Sequence, residues 1–297
     1  MDSSVFAFLL PILLATMMVG LGLELKGKDF IRVIEHPKVV FLALFTQLII
    51  LPIIAFLICL SFELSPALSV GMMLLAASPG GATANLFSYV FKGDIALNIS
   101  LTTMNSIIAV FTLPFLVNIS LLFFLNSTDT ISSFPISKIF FVFLITIAPV
   151  SIGILVRYWL PSVARFCSRP MRSISILFLV CLFAMTLFNE RDNVLHYLGD
   201  IGLAVALFCF CSLFIGYLLP HLAHVQERQA RACTFEVGIH NTGLAMTIAI
   251  AVLGHTSFAI PAAIYTIFMY VFAAVFGMFI TNRAQEFILG QKITRNP

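Results

Sequence analysis

Glu236 opens a stretch that runs to Gly254 with no further Asp, Glu, Lys or Arg. His240, Asn241 and Thr242 follow it, with Gly238 and Gly243 on either side of that trio. A carboxylate among apolar residues is costly unless it meets a cation, a proton or a cavity. Glu236 is therefore a candidate cation ligand or proton carrier; the plainer role is an interfacial helix cap beside Arg231. Glycine lets the backbone leave the helix. Unwound carbonyls become available to a cation, and the restarting half-helix offers N–H groups to an anion. A second break, Pro79-Gly80-Gly81, is followed by Thr83 and Asn85. Proline removes a donor and frees a carbonyl, and Asn85 adds an amide oxygen. Asn98, Thr102 and Asn105 share one helical face. Their oxygens suit a hard cation such as Na⁺, and serve equally well for hydrogen bonds between helices. Gln47, shortly before Pro52, is open to the same two readings.

The elements that must hold these groups belong to a bilayer. Hydrophobic residues make up 61% of the 297, and charged residues only 10%, against about 25% charged in a soluble domain. The net charge of +3 gives no nucleic-acid signature. Six cysteines form no CxxC pair, so a zinc or redox centre is not indicated and no cofactor is expected. The amino terminus carries Asp2 and no basic residue before its first apolar run. That run reads as a retained helix rather than a signal peptide.

Apolar runs of the length that spans a bilayer, about 20 residues, fall at 5–23, 38–61, 66–91, 94–120, 137–160, 173–188, 197–220, 227–254 and 258–281. They predict an all-α integral membrane protein with nine transmembrane helices. With the amino terminus outside, every one of the 16 basic residues except Lys138 and Arg191 falls inside. That asymmetry places the carboxy terminus in the cytoplasm. Feature order suggests inverted halves, about 5–120 and 173–281, with helix 137–160 between them. Each half has a long helix broken by Gly and polar residues as its third member. Interrupted segments at matching positions point to a transporter binding site. Residues 1–282 then form one membrane domain, and 283–297 a cytoplasmic tail.

This arrangement suits a secondary transporter working by alternating access, with a cation bound near mid-membrane and a small organic anion at the half-helix ends. A proton-coupled carrier of the same fold is the nearest alternative. An intramembrane enzyme is a more distant one, since His240 and Glu236 resemble an acid/base pair but lack a nucleophile or metal spacing. A channel is disfavoured because no polar stripe runs the length of a helix.

The chain resembles the bile acid:sodium symporter family over almost its whole length. The resemblance rests on Gly22–Lys26, His36–Lys38, Pro79–Asn85, Lys92–Leu97 and the run from Glu236 to Ala245. It implies a core domain around two crossing, broken helices, a panel domain moving against it, and a nine-helix form of the bacterial type. A bacterial inner-membrane location, a bile-acid-like or carboxylate substrate, and Na⁺ as coupling ion follow from the same resemblance. A first Na⁺ site would use Asn85, Asn98, Thr102 and Glu236, with Ala84 where relatives have a hydroxyl. A second would use Gln47, Glu236, Val237, Ile239 and His240, where the family has Gln in place of histidine. Thr83, Asn241 and Thr242 would lie toward the substrate.

Overall fold

A polypeptide without water around it must satisfy its backbone polar groups internally, and helices do so within one segment. A computed structural model describes residues 27–81, 83–125, 136–167 and 194–293, with 15, 16, 19, 20, 22, 23, 170 and 177 besides. Among these residues the secondary structure is helical, apart from one isolated β-bridge. In chain order come α1 (Gly27–Glu35), α2 (Pro37–Ser61), α3 (Pro66–Ala77), α4 (Thr83–Val90) and α5 (Ile95–Leu125). Then follow α6 (Ile136–Trp159), α7 (Val194–Leu222), α8 (Glu227–Gly238), α9 (Thr242–Val252) and α10 (Ile260–Ile293).

Four described segments are long and apolar enough to cross a membrane: Pro37–Ser61, Ile95–Leu125, Tyr197–Leu222 and Thr256–Thr281. Pro66–Ala77 and Thr242–Val252 are shorter apolar helices, each one half of a segment interrupted as the sequence predicts. The predicted run 173–188 apart from residue 177, and most of 5–23, lie outside the described residues.

Side-chain distribution is reversed relative to a soluble protein. On α2 an exposed stripe of Phe41, Phe45, Ile49, Ile53 and Leu57 recurs every four residues. The opposite face buries Ala43, Gln47, Leu51 and Ala55. On α5 the exposed positions include Phe111 and Phe115, whereas Asn98, Ser100 and Asn105 are buried. Apolar groups face outward where lipid is the solvent, and polar groups turn inward to find partners.

Close backbone approach replaces a hydrophobic driving force between membrane helices. A Cβ at Gly22 would lie 2.9 Å from the Gly153 Cα, and one at Gly153 would meet Gly22 in turn. A side chain at either position would force the two backbones apart.

Three features depart from the sequence reading. Helix α1 is nine residues long, well short of an apolar span, so a search for spanning runs passes over it. Its Arg32 pairs with Asp94 at 3.3 Å, just ahead of α5. Helix α10 runs on to Ile293, past the predicted end at 281; polar residues after Arg283 mark a change of medium, which need not end a helix. Within α2, Thr46–Ile50 widens into a π-turn just before Pro52, which has no N–H to offer. That turn carries Gln47, 3% exposed, into the interior.

Candidate functional site

The two interrupted segments meet at their breaks. Helix α3 ends at Ala77, and the ψ of 140° at its cap residue Ser78 turns the chain extended. Helix α8 ends at Gly238, and Ile239 is extended at φ −114°, ψ 90°. Gly80 and His240 form a single antiparallel bridge. The Gly81 N–H donates to the Ile239 carbonyl at 2.7 Å, and the Asn241 N–H to the Pro79 carbonyl at 2.8 Å. Backbone groups released by each break are thus satisfied by the other, which allows two unwound stretches to exist at this depth.

Glu236 sits in the last turn of α8, directly against this crossing, and is 2% exposed. Its Oε2 accepts from the Thr102 hydroxyl at 2.5 Å, and its Oε1 from Asn105 Nδ2 at 3.4 Å. The Gly80 backbone packs directly against the carboxylate. No basic side chain pairs with it among the described residues. The nearest arginine along α8, Arg231, is committed to Glu227 at 3.0 Å and to the Phe91 carbonyl at 3.2 Å.

Asn98 is a clamp as well as a candidate ligand. Its Nδ2 faces the Ser88 hydroxyl on α4, the Ala232 carbonyl on α8 at 3.1 Å and the Ala84 carbonyl at 3.4 Å. Its Oδ1 lies 3.4 Å from the Thr102 hydroxyl. Asn98 therefore ties α5 to both interrupted helices at the level of Glu236. Asn85 is half-buried on α4, and its Oδ1 is buried without a hydrogen-bond partner. Asn105 Oδ1 and Gln47 Oε1 are in the same condition. Unpaired buried oxygens are rare in native proteins and mark a place for water or an ion. Asn105, in contact with Glu236, sets one such oxygen close to a carboxylate, a donor chemistry that fits Na⁺.

His240 lies elsewhere. A continuous helix would bring it one turn from Glu236, but the helix ends at Gly238. Its ring packs with Phe208 and Tyr265, at centroid distances of 5.5 and 5.3 Å. Its Nδ1 is 3.3 Å from Gln47 Nε2 and 3.2 Å from the Ser78 carbonyl, and its Nε2 is buried without a partner. The Ile239 carbonyl is taken by Gly81, the Gly238 carbonyl by the Tyr265 hydroxyl at 2.9 Å, and the Ser78 carbonyl by Gln47 at 2.9 Å. Val237 is fully buried within α8.

Of the residues predicted to face substrate, Asn241 caps α9, its Oδ1 accepting from the Leu244 N–H at 3.0 Å. Thr242 places its hydroxyl 2.9 Å from that of Thr266. Thr83 begins α4 and is half-buried. The sequence reading puts Asn105 on the Asn98–Thr102 face but in neither Na⁺ site, and does not single out Ser88. Asn105 was within reach, because it continues the Asn98–Thr102 face; Ser88 has no such spacing signal.

The molecule is thus a helical membrane protein built on two interrupted helices that hydrogen-bond at their breaks around a buried carboxylate. The Sodium Bile acid symporter family matches residues 11–197, and the chain belongs to that family. It is 25% identical over 258 residues to the Uncharacterized sodium-dependent transporter YocS of Bacillus subtilis, covering 87% of this chain and 78% of that one. To the Ileal sodium/bile acid cotransporter of Homo sapiens it is 28% identical over 283 residues, or 92% and 79% of the two chains. To the Probable sodium/metabolite cotransporter BASS2, chloroplastic, of Oryza sativa it is 26% identical over 270 residues, or 91% and 63%. These relatives are transporters rather than enzymes.

Proposed function

We propose that the protein is a Na⁺-coupled symporter of a small organic anion, carboxylate or bile-acid-like in chemistry. One observation carries the reading: Glu236 is buried at the crossing with hydroxyl and amide donors but no basic partner among the described residues. A buried carboxylate in that setting needs a positive charge. Na⁺ would be held by Glu236, Thr102, Asn98 and Asn85, drawing α4, α5 and α8 together. The stiffened crossing then presents the starts of α4 and α9, with Thr83, Asn241 and Thr242, to the anion. Nine crossings in inverted halves, with helix 137–160 between them, and rocking of a panel against the core give alternating access in this scheme. A proton on Glu236 in place of Na⁺ is the alternative coupling.

We assign one Na⁺ per cycle. Gln47, Val237, Ile239 and His240, with Glu236, are the residues of a second site. There the Ile239 carbonyl already accepts a hydrogen bond, and an imidazole nitrogen is a poorer match than oxygen for a hard cation. Uptake into proteoliposomes under an imposed Na⁺ gradient tests both statements, using a panel of carboxylates and bile acids as probes. Substrate should be recovered unchanged. The Na⁺ dependence should show a Hill coefficient near one, rising toward two in His240→Gln. Uptake indifferent to the Na⁺ gradient would sink the symport, and a wild-type coefficient near two would sink the single ion.

The charge asymmetry of the loops places the amino terminus outside and residues 283–297, at the end of α10 and beyond it, in the cytoplasm. A cysteine at residue 2 should react with an impermeant maleimide from the outside. Reaction from the cytoplasmic side alone would reverse the assignment.

A further inference from the structure

Asn105 is 1% exposed and lies on α5 in line with Asn98 and Thr102. Its carboxamide is used at one end only. Nδ2 approaches Glu236 Oε1 at 3.4 Å, a long contact, while Oδ1 is buried with no donor in reach. A side chain kept only to brace helices would find partners for both ends, since an unsatisfied buried acceptor costs about 1–3 kcal/mol. Across the crossing, Asn85 Oδ1 on α4 is orphaned in the same way. The unpaired Asn105 oxygen on α5 and the Glu236 carboxylate, which has no basic partner among the described residues, form a set of acceptors with too few donors.

We infer that Asn105 is a cation ligand of this pocket, its carboxamide donating to Glu236 when the carboxylate is bare and turning its oxygen inward when a cation is bound. This rests on the reading of the Glu236 pocket as the cation site. A terminal amide torsion is soft and two-fold, so the exchange of ends is sterically simple. Its direction is set by charge. Oδ1 against Oε1 is repulsive with nothing between them, and becomes favourable when a positive ion lies between. The amide therefore favours the donor orientation in one state and the acceptor orientation in the other. No other side chain donates to Oε1 among the described residues, so the ion displaces a single weak hydrogen bond there.

The test uses Na⁺ alone as the probe, on purified full-length protein, by titrating thermal stability in NaCl against choline chloride at constant ionic strength. Asn105→Ala should raise the Na⁺ midpoint about tenfold or more, the expected effect of losing one interaction with a charged group. Asn105→Leu fills the same space without an oxygen, so it carries the test should the smaller side chain leave a damaging cavity. Asn105→Asp keeps the oxygens and removes the donor. It should bind Na⁺ at least as tightly as the wild type, and be less stable in choline, where two carboxylates repel. A wild-type midpoint in both the Ala and Leu variants overturns the inference. So does an Asp variant as weak as Ala, because the amide would then act only as a donor. Loss of the Na⁺ response in Glu236→Gln alongside either result confines the failure to Asn105; retention of it in Glu236→Gln would instead remove the cation site itself.

Discussion

Glu236→Gln is expected to be at least as stable as the wild type in choline chloride and to gain nothing from Na⁺. The substitution keeps the side chain's size and one oxygen while removing the charge. Without Na⁺ the wild type carries a carboxylate that is 2% exposed and has no basic partner among the described residues, and a buried charge of that kind is destabilising. The neutral amide relieves that cost, so the baseline should not fall. With Na⁺ the order reverses. A ligand that binds only the native state stabilises it by about 2.7 kcal/mol at a concentration 100 times its dissociation constant, and the variant forgoes this. Gradient-driven uptake should be lost with it. Melting curves in the two salts give the result directly. A variant that keeps the wild-type Na⁺ shift would show that the cation binds elsewhere. A wild type with no Na⁺ shift would favour the proton as coupling ion.

The sequence located the two breaks because breaks leave local marks. Pro79-Gly80-Gly81 and the Gly238–Gly243 pair each interrupt an apolar run, and the structure ends α3 at Ala77 and α8 at Gly238. The grouping of Asn98 with Thr102 came from helical spacing; Glu236, joined to them only through the family resemblance, lies 2.5 Å from Thr102. What escaped was long-range or departed from helical geometry. Ser88 reaches Asn98 through the packing of α4 on α5, which no spacing encodes. Arg231 bridges to the Phe91 carbonyl, 140 residues away in sequence. A continuous helix would set His240 one turn from Glu236, but the extended Ile239 sends its ring toward Phe208 and Tyr265. Period-based reasoning holds only while the helix lasts.

Gly80→Ala is expected to remove the Na⁺ response while Gly81→Ala largely keeps it, although the two glycines are neighbours in one break. A Cβ on Gly80 would run into the carboxylate of Glu236, overlapping both oxygens and the carbon between them. The carboxylate is held from the far side by Thr102 at 2.5 Å and Asn105 at 3.4 Å, so it has little room to retreat. Two relaxations remain. Glu236 can swing away, giving up its place beside Thr102 and Asn105. Alternatively the segments can part, stretching the hydrogen bonds from Gly81 to Ile239 and from Asn241 to Pro79. Either one dismantles the proposed site, at a general overpacking cost of about 1–3 kcal/mol. On Gly81 the nearest atom to an added Cβ is the His240 carbonyl oxygen at 3.1 Å, a tight contact that a shift of a few tenths of an ångström relieves. That substitution should lower stability modestly and leave the Na⁺ midpoint within about threefold of the wild type, a change below 1 kcal/mol. Parallel NaCl and choline chloride titrations of the two variants separate the cases. A Gly80→Ala protein with the wild-type midpoint would mean that Glu236 does not bind the cation in the position seen here.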